Sequence, residues 1–157
     1  MRGGGSYKNT KSLSRNNYTD RDAHADTVKL FEEIAGGKYE AYTSRTVIEE
    51  LEKAVSDKRE KMLNLISKYE IPILESSIEA ETLADIYVKE GVVPLRYRTD
   101  GLHIAISAVN DLDMIISMNF QHIVKRKTIK MTTLINSLNG YRAVEIYSHM
   151  EVISNDE

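Results

Sequence analysis

Apolar side chains along this chain change their spacing several times, and each change marks an element. From Ala23 the residues Val28, Phe31 and Ile34 recur at helical spacing, and Gly36-Gly37 closes the segment. "KYEAYT" at 38–43 alternates and predicts a short strand. Ser44 is placed to cap a helix over 44–55, whose apolar stripe is Val47, Ile48, Leu51, Ala54 and Val55. A third helix is expected over 57–70 and a second strand at "IPILE", 71–75. The next helix, 76–91, opens on a capping-box spacing from Ser76 to Glu79 and ends on Gly91. Asp100 to Val109 reads as a helix that is apolar nearly all round. "DMIISM" at 113–118 reads as a strand covered on both faces, and "YRAVEIYS" at 141–148 as a last strand. No element is assigned to the stretch between those two strands.

Strands that alternate with helices predict an α/β fold with a mainly parallel sheet. The 157 residues suit a single domain with a buried core. Residues 1–22 stand apart from it. They hold Gly3-Gly4-Gly5, the cations Arg2, Lys8, Lys11, Arg15 and Arg21, and very few apolar groups. Two readings fit them: a flexible tail, or a basic arm that touches an anionic partner. The domain proper is expected over 23–157.

Composition adds exclusions. There is no cysteine, hence no disulfide framework and no thiolate metal site, which fits a reducing cytoplasm. No apolar stretch is long enough to cross a bilayer, and the N-terminus has no apolar core of a secretory signal. A net charge of −3 is not that of a strongly basic nucleic-acid-binding surface. A nuclease with an acidic, metal-bridged centre does not need one. The histidines lack zinc spacing, and no phosphate-cradling glycine loop or Gly-x-Ser-x-Gly elbow occurs.

Three positions carry candidate chemistry. Glu50 lies three residues after Val47 and four before Ala54, so the spacing places it on the stripe side; Glu49, flanked by Arg45, Glu52 and Lys53, points to solvent. The plain alternative is a stripe-edge glutamate that reaches water along its stem. Asp100 opens the apolar helix, either as a cap (Thr99 or Asp100) favoured by the helix dipole or as an acid carried to the sheet edge. Asn119 follows the strand 113–118 directly, and carboxyl ends of parallel strands are where open α/β sheets bind ligands. Acids gathered there repel unless a cation joins them, and hard oxygen ligands suit Mg²⁺ or Mn²⁺.

"DGLHIAISAVNDLDMIISMNFQHIV" resembles the second half of PIN domains, the fold of VapC-type toxin nucleases. An Asp starts an apolar helix, and a strand then leads to "NFQHI". "TSRTVIEELEKA" resembles the family's earlier acidic helix, in which the glutamate before leucine is the ligand, here Glu50. "INSLNGYRAVEIYSHMEVI" is similar to the C-terminal segment. The resemblance covers roughly residues 20–153. It implies a three-layer α/β/α sandwich and a metal-dependent endoribonuclease that binds Mg²⁺ or Mn²⁺ through Glu50 and Asp100, with Asn119 contributing through water. It also implies RNA as substrate, an antitoxin protein as partner, and a homodimer. The family opens with an apolar strand ending in Asp followed by Thr or Ser, whereas this chain offers Asn9-Thr10 in "KNTKS", with Asp20 and Asp22 in the loop beyond. Three readings fit that departure: a catalytically degenerate PIN-like module that binds RNA or a protein partner, a start of the chain that is not the natural one, or a site completed by another acid.

Overall fold

The computed structural model describes residues 20–53, 57–117 and 126–148. Within them the chain is mixed α/β: six α-helices and four short strands. In chain order these are α1 (Asp20–Ala35), β1 (Thr43–Ser44), α2 (Arg45–Lys53), α3 (Asp57–Lys68), β2 (Ile73–Leu74), α4 (Ile78–Lys89), α5 (Arg98–Val109), β3 (Met114–Ser117), α6 (Arg126–Leu138) and β4 (Glu145–Ser148). A 3₁₀ turn, Leu95–Tyr97, leads into α5. None of these helices is long and apolar enough to cross a membrane.

The described residues fall into two compact units, one from 20–43 with 48–73 and one from 44–47 with 74–148. The first gathers Phe31, Ile48, Leu65, Ile66 and Ile71 into a small core. Phe31 and Tyr69 meet there with ring centroids 5.7 Å apart. Helix α1 begins at Asp20, ahead of the expected Ala23, so Asp20 and Asp22 lie in its first turn and not in a loop.

The second unit has the larger core. Helix α5 is buried at Gly101, Leu102, Ile104, Ala105, Ile106, Ser107 and Ala108, as a helix apolar on all sides must be. It packs on Ala80, Leu83, Ala84 and Tyr87 of α4, with Val92, Val93, Ile135, Val144 and Ile146. A Cβ on Gly101 would stand 3.2 Å from Val93 Cγ2 and 3.6 Å from Tyr87 Cδ2, so this glycine sets how closely α5 meets its neighbours. Strands β3 and β4 pair in parallel, Met114 opposite Glu145 and Ser117 opposite Ser148, with α6 as the crossover.

Five helices end alike. In α1, α3, α4, α5 and α6 the N–H two residues past the C-cap returns to the carbonyl five residues back: Lys38 to Glu33, Ile71 to Ile66, Val92 to Tyr87, Leu112 to Ser107, Tyr141 to Asn136. The left-handed residue is glycine in three of them and Glu70 or Asp111 in the others.

Several expectations need correction. The strand at 38–43 reduces to Thr43–Ser44 and that at 71–75 to Ile73–Leu74. Thr43 N–H does donate to Pro72 C=O, 2.9 Å, but Pro72 has no N–H to return, so the ladder stays short. The last strand starts at Glu145, not at 141, because Tyr141 N–H is spent closing the end of α6. The cap of α4 is Ser77, whose Oγ accepts from Ala80 N–H; Ser76 instead donates to Glu81. Asp100 is not the cap of α5, which begins at Arg98 after Tyr97. Strand β3 pairs only with β4 among the described residues, and Met114, Ile115 and Ile116 are half-buried, so it is not covered on both faces as a central strand. Helix α6 fills the stretch to which no element had been assigned. The cap at Ser44 is as expected: its Oγ accepts from Val47 N–H at 3.1 Å.

Candidate functional site at the carboxyl edge of the parallel pair

Helix α5 ends in the turn 110–113, which sends the chain straight into β3, and α5 packs on that strand. The helix therefore runs back against the strand. Asp100 stands about 14 Å up the α5 axis from Val109 at 1.5 Å per residue. Strand β3 covers roughly 10 Å over the same direction. The first turn of α5 thus lies at the carboxyl end of β3. Asp100 is half-buried there. Helix α6, the crossover to β4, carries the exposed Lys127 and Lys130 in its first turns.

The turn before α5 is unusually open. Leu95 is 72% exposed and Arg96 is exposed. The Arg96 guanidinium lies over the Tyr97 ring, 4.9 Å from its centroid. Two residues on, Arg98 is fully committed. Its Nε donates to Asp85 at 2.7 Å and its Nη2 to Glu81 at 2.9 Å and to the Glu81 carbonyl. Ser76 Oγ donates to the other Glu81 oxygen at 2.8 Å. The Ser76 hydrogen bond, followed by that from Arg98, holds the Glu81 carboxyl below its ordinary range.

The opposite, amino edge is tied by side chains. Arg142 Nε donates to Asp111 Oδ1 at 2.6 Å, its Nη2 to the Asp111 carbonyl at 2.9 Å, and Asp113 lies 3.5 Å away. This joins the turn before β3 to the turn before β4 and holds Asp111 in its left-handed conformation, φ 59°. Tyr141 OH donates to Glu79, at the start of α4. The Tyr87 hydroxyl, in the core, donates to Asn136 Oδ1. Burial pushes the Tyr87 phenol far up, so it stays neutral and remains a donor.

The three expected site residues fare differently. Asp100 lies in the first turn of α5 and is half-buried. Glu50 belongs to the first unit and is exposed, as is Glu49. The stripe argument for Glu50 is thereby corrected: the buried line of α2 is centred on Ile48, and Glu50 lies about 200° round the helix from it. Asn119 and Asn9 lie outside the described residues. Among the described residues, no three His, Asp or Glu side chains gather as a metal ligand set. The Asp100 carboxylate is a hard oxygen donor with partial access to water, the type that suits Mg²⁺ or Mn²⁺.

Sequence reasoning did not single out Arg96, Arg98, Tyr87 or Asn136. Exposed cations carry no periodic signal. Asn136 had one available: it lies four and eight residues after Thr132 and Thr128, all three buried on α6. No family model, curated protein or solved structure matches this chain.

Proposed function

We propose that this chain is a PIN-like, metal-dependent endoribonuclease of the VapC-like toxin type, working at the carboxyl edge of the β3–β4 pair. The observation that supports the reading is the start of α5 at that edge, with a half-buried Asp100 in its first turn. On this reading residues 23–157 take a three-layer α/β/α sandwich, and Asp100, Glu50 and Asn119 are the ligands of Mg²⁺ or Mn²⁺. The ion, when bound, supplies an activated water and offsets charge on the phosphate. Asp100 supplies a fixed carboxylate oxygen, and the buried body of α5 keeps that oxygen in place. RNA is the substrate, an antitoxin protein the natural inhibitor, a homodimer the working form, and the cytoplasm the setting.

A second reading is a catalytically degenerate PIN-like module that binds RNA or a protein. It is favoured by Asn9-Thr10, where the family has an aspartate. An amide lacks the negative charge that helps hold a dication. Incubation of a mixed structured RNA with Mn²⁺ separates the two. Cleavage that chelator abolishes and Asp100→Asn lowers by at least about a hundredfold supports the nuclease. RNA retention without turnover, unaffected by metal, supports the module.

A further inference from the structure

Helix α6 turns a mixed face inward and a largely apolar one outward. Thr128, Thr132, Ile135 and Asn136 are buried. Lys127, Met131, Leu134 and Leu138 follow one another at spacings of four, three and four residues, so they share one stripe about 60° wide. On that stripe Leu134 is 58% and Leu138 73% exposed, Met131 is half-buried and Lys127 is exposed. A lone exposed leucine such as Leu95 is ordinary on a protein surface. Two on one stripe, with a third aliphatic group at its end, are not. That third group is Ile78, 88% exposed at the start of α4. The Tyr141 hydroxyl, just past α6, donates to Glu79, so the first turn of α4 stands at the carboxyl end of α6. The charges of α6 also run against its own dipole. Lys127 stands in the first turn, that turn holds no acid, and the last turn holds no cation.

We propose that the Lys127–Leu138 stripe of α6 seats the same stripe of a second copy of this chain, the two helices antiparallel about a two-fold axis. In a two-fold contact each residue meets a partner that meets it in return. With the axis between Met131 and Leu134, each Met131 lies against the partner's Leu134, and each Lys127 against the partner's Leu138. The lysine stem then covers the leucine. Its ammonium reaches the carboxyl end of the other helix, where the dipole favours a cation and Glu79 stands. A parallel pair would instead set Lys127 against Lys127. The occupant is a second copy because the stripe complements itself: the end that carries a cation fits the end that lacks one. The contact gives a surface to the homodimer of the reading above and depends on nothing else in it.

The test is the mass of the full chain in solution, by sedimentation over a concentration series, since one helix pair is a small interface. Wild type is expected to be a dimer that dissociates on dilution. Leu134→Asp should raise the dissociation constant about tenfold or more, and Lys127→Glu by less. Both positions are exposed, and an unchanged melting curve checks the fold. The chain has no cysteine, so cross-linking reports the register cleanly. On mild oxidation a mixture of Met131→Cys and Leu134→Cys should cross-link between copies more than either variant alone. A wild type that stays monomeric at every concentration overturns the pairing and leaves the stripe to a helix of another protein. A dimer that Leu134→Asp leaves intact, or a mixture that cross-links no more than the single variants, overturns it as well. Cleavage separates the two proposals. A dimer through α6 that cuts no RNA with any metal sinks the nuclease reading alone. RNA cleavage by a chain that is monomeric throughout sinks the pairing alone.

Discussion

The two ends of the β3–β4 pair differ in how their polar groups are used. At the amino end Arg142 is bonded to Asp111 and Asp113, and Tyr141 to Glu79. At the carboxyl end Arg98 is tied to Glu81 and Asp85, Asp100 is half-buried, and Arg96 stands without a carboxylate within 4.0 Å among the described residues. The first end spends its charges and hydroxyls on holding the fold. The second ties Arg98 but leaves Arg96 exposed, at the edge where parallel sheets take ligands.

The contrast breaks if changes at the two ends have interchangeable effects. The largest loss of stability is expected from Asn136→Ala. That change removes a fully buried side chain and leaves the Tyr87 hydroxyl unpaired in the core, costing about 2–4 kcal/mol in urea denaturation. Gly101→Val comes next, at roughly 1–3 kcal/mol, because its side chain must displace Val93 and Tyr87. Ser77→Ala should cost about 1 kcal/mol by uncapping α4.

A smaller effect depends on pH. The Glu81 carboxyl titrates lower in the folded chain than an ordinary glutamate does. Its contribution is therefore complete above about pH 4.5 and is lost as pH falls through the lower folded value. Wild type should lose stability over that acid window more steeply than Ser76→Ala, as urea midpoints at successive pH values would register. A parallel fall in both would show that Ser76 does not matter to Glu81. Smallest is Arg142→Ala, an exposed pair, whose expected trace is faster amide exchange at 110–113 and 141–144 with little change in melting.

The sequence made α5 legible because its apolar residues leave no polar face, and made Ser44 legible because a cap followed by a stripe is a local signal. Neighbouring signals misled by a residue or two. Ser76 and Ser77 both precede α4, and only the geometry of the chain entering the helix selects Ser77. Strands 38–43 and 71–75 had strand-like composition, but ladder length depends on the partner, and Pro72 ends it. Helix α6 escaped notice because polar residues share its buried face with Ile135. It buries Thr128, Thr132 and Asn136, with Thr132 Oγ1 bonded back to the Thr128 carbonyl, while Leu134 and Leu138 face water. Of the candidate site, Asp100 was legible from its place at the head of a buried helix. Glu50 was chosen by spacing from Val47 and Ala54, whereas burial follows Ile48.

The most direct measurement is RNA cleavage in Mn²⁺ by wild type, Asp100→Asn and Arg142→Ala side by side, one variant at each end of the parallel pair. Cleavage by wild type and Arg142→Ala, lost in Asp100→Asn and in chelator, is the predicted result. Equal cleavage by Asp100→Asn and wild type would contradict the account, as would a wild type that cuts no RNA with any metal.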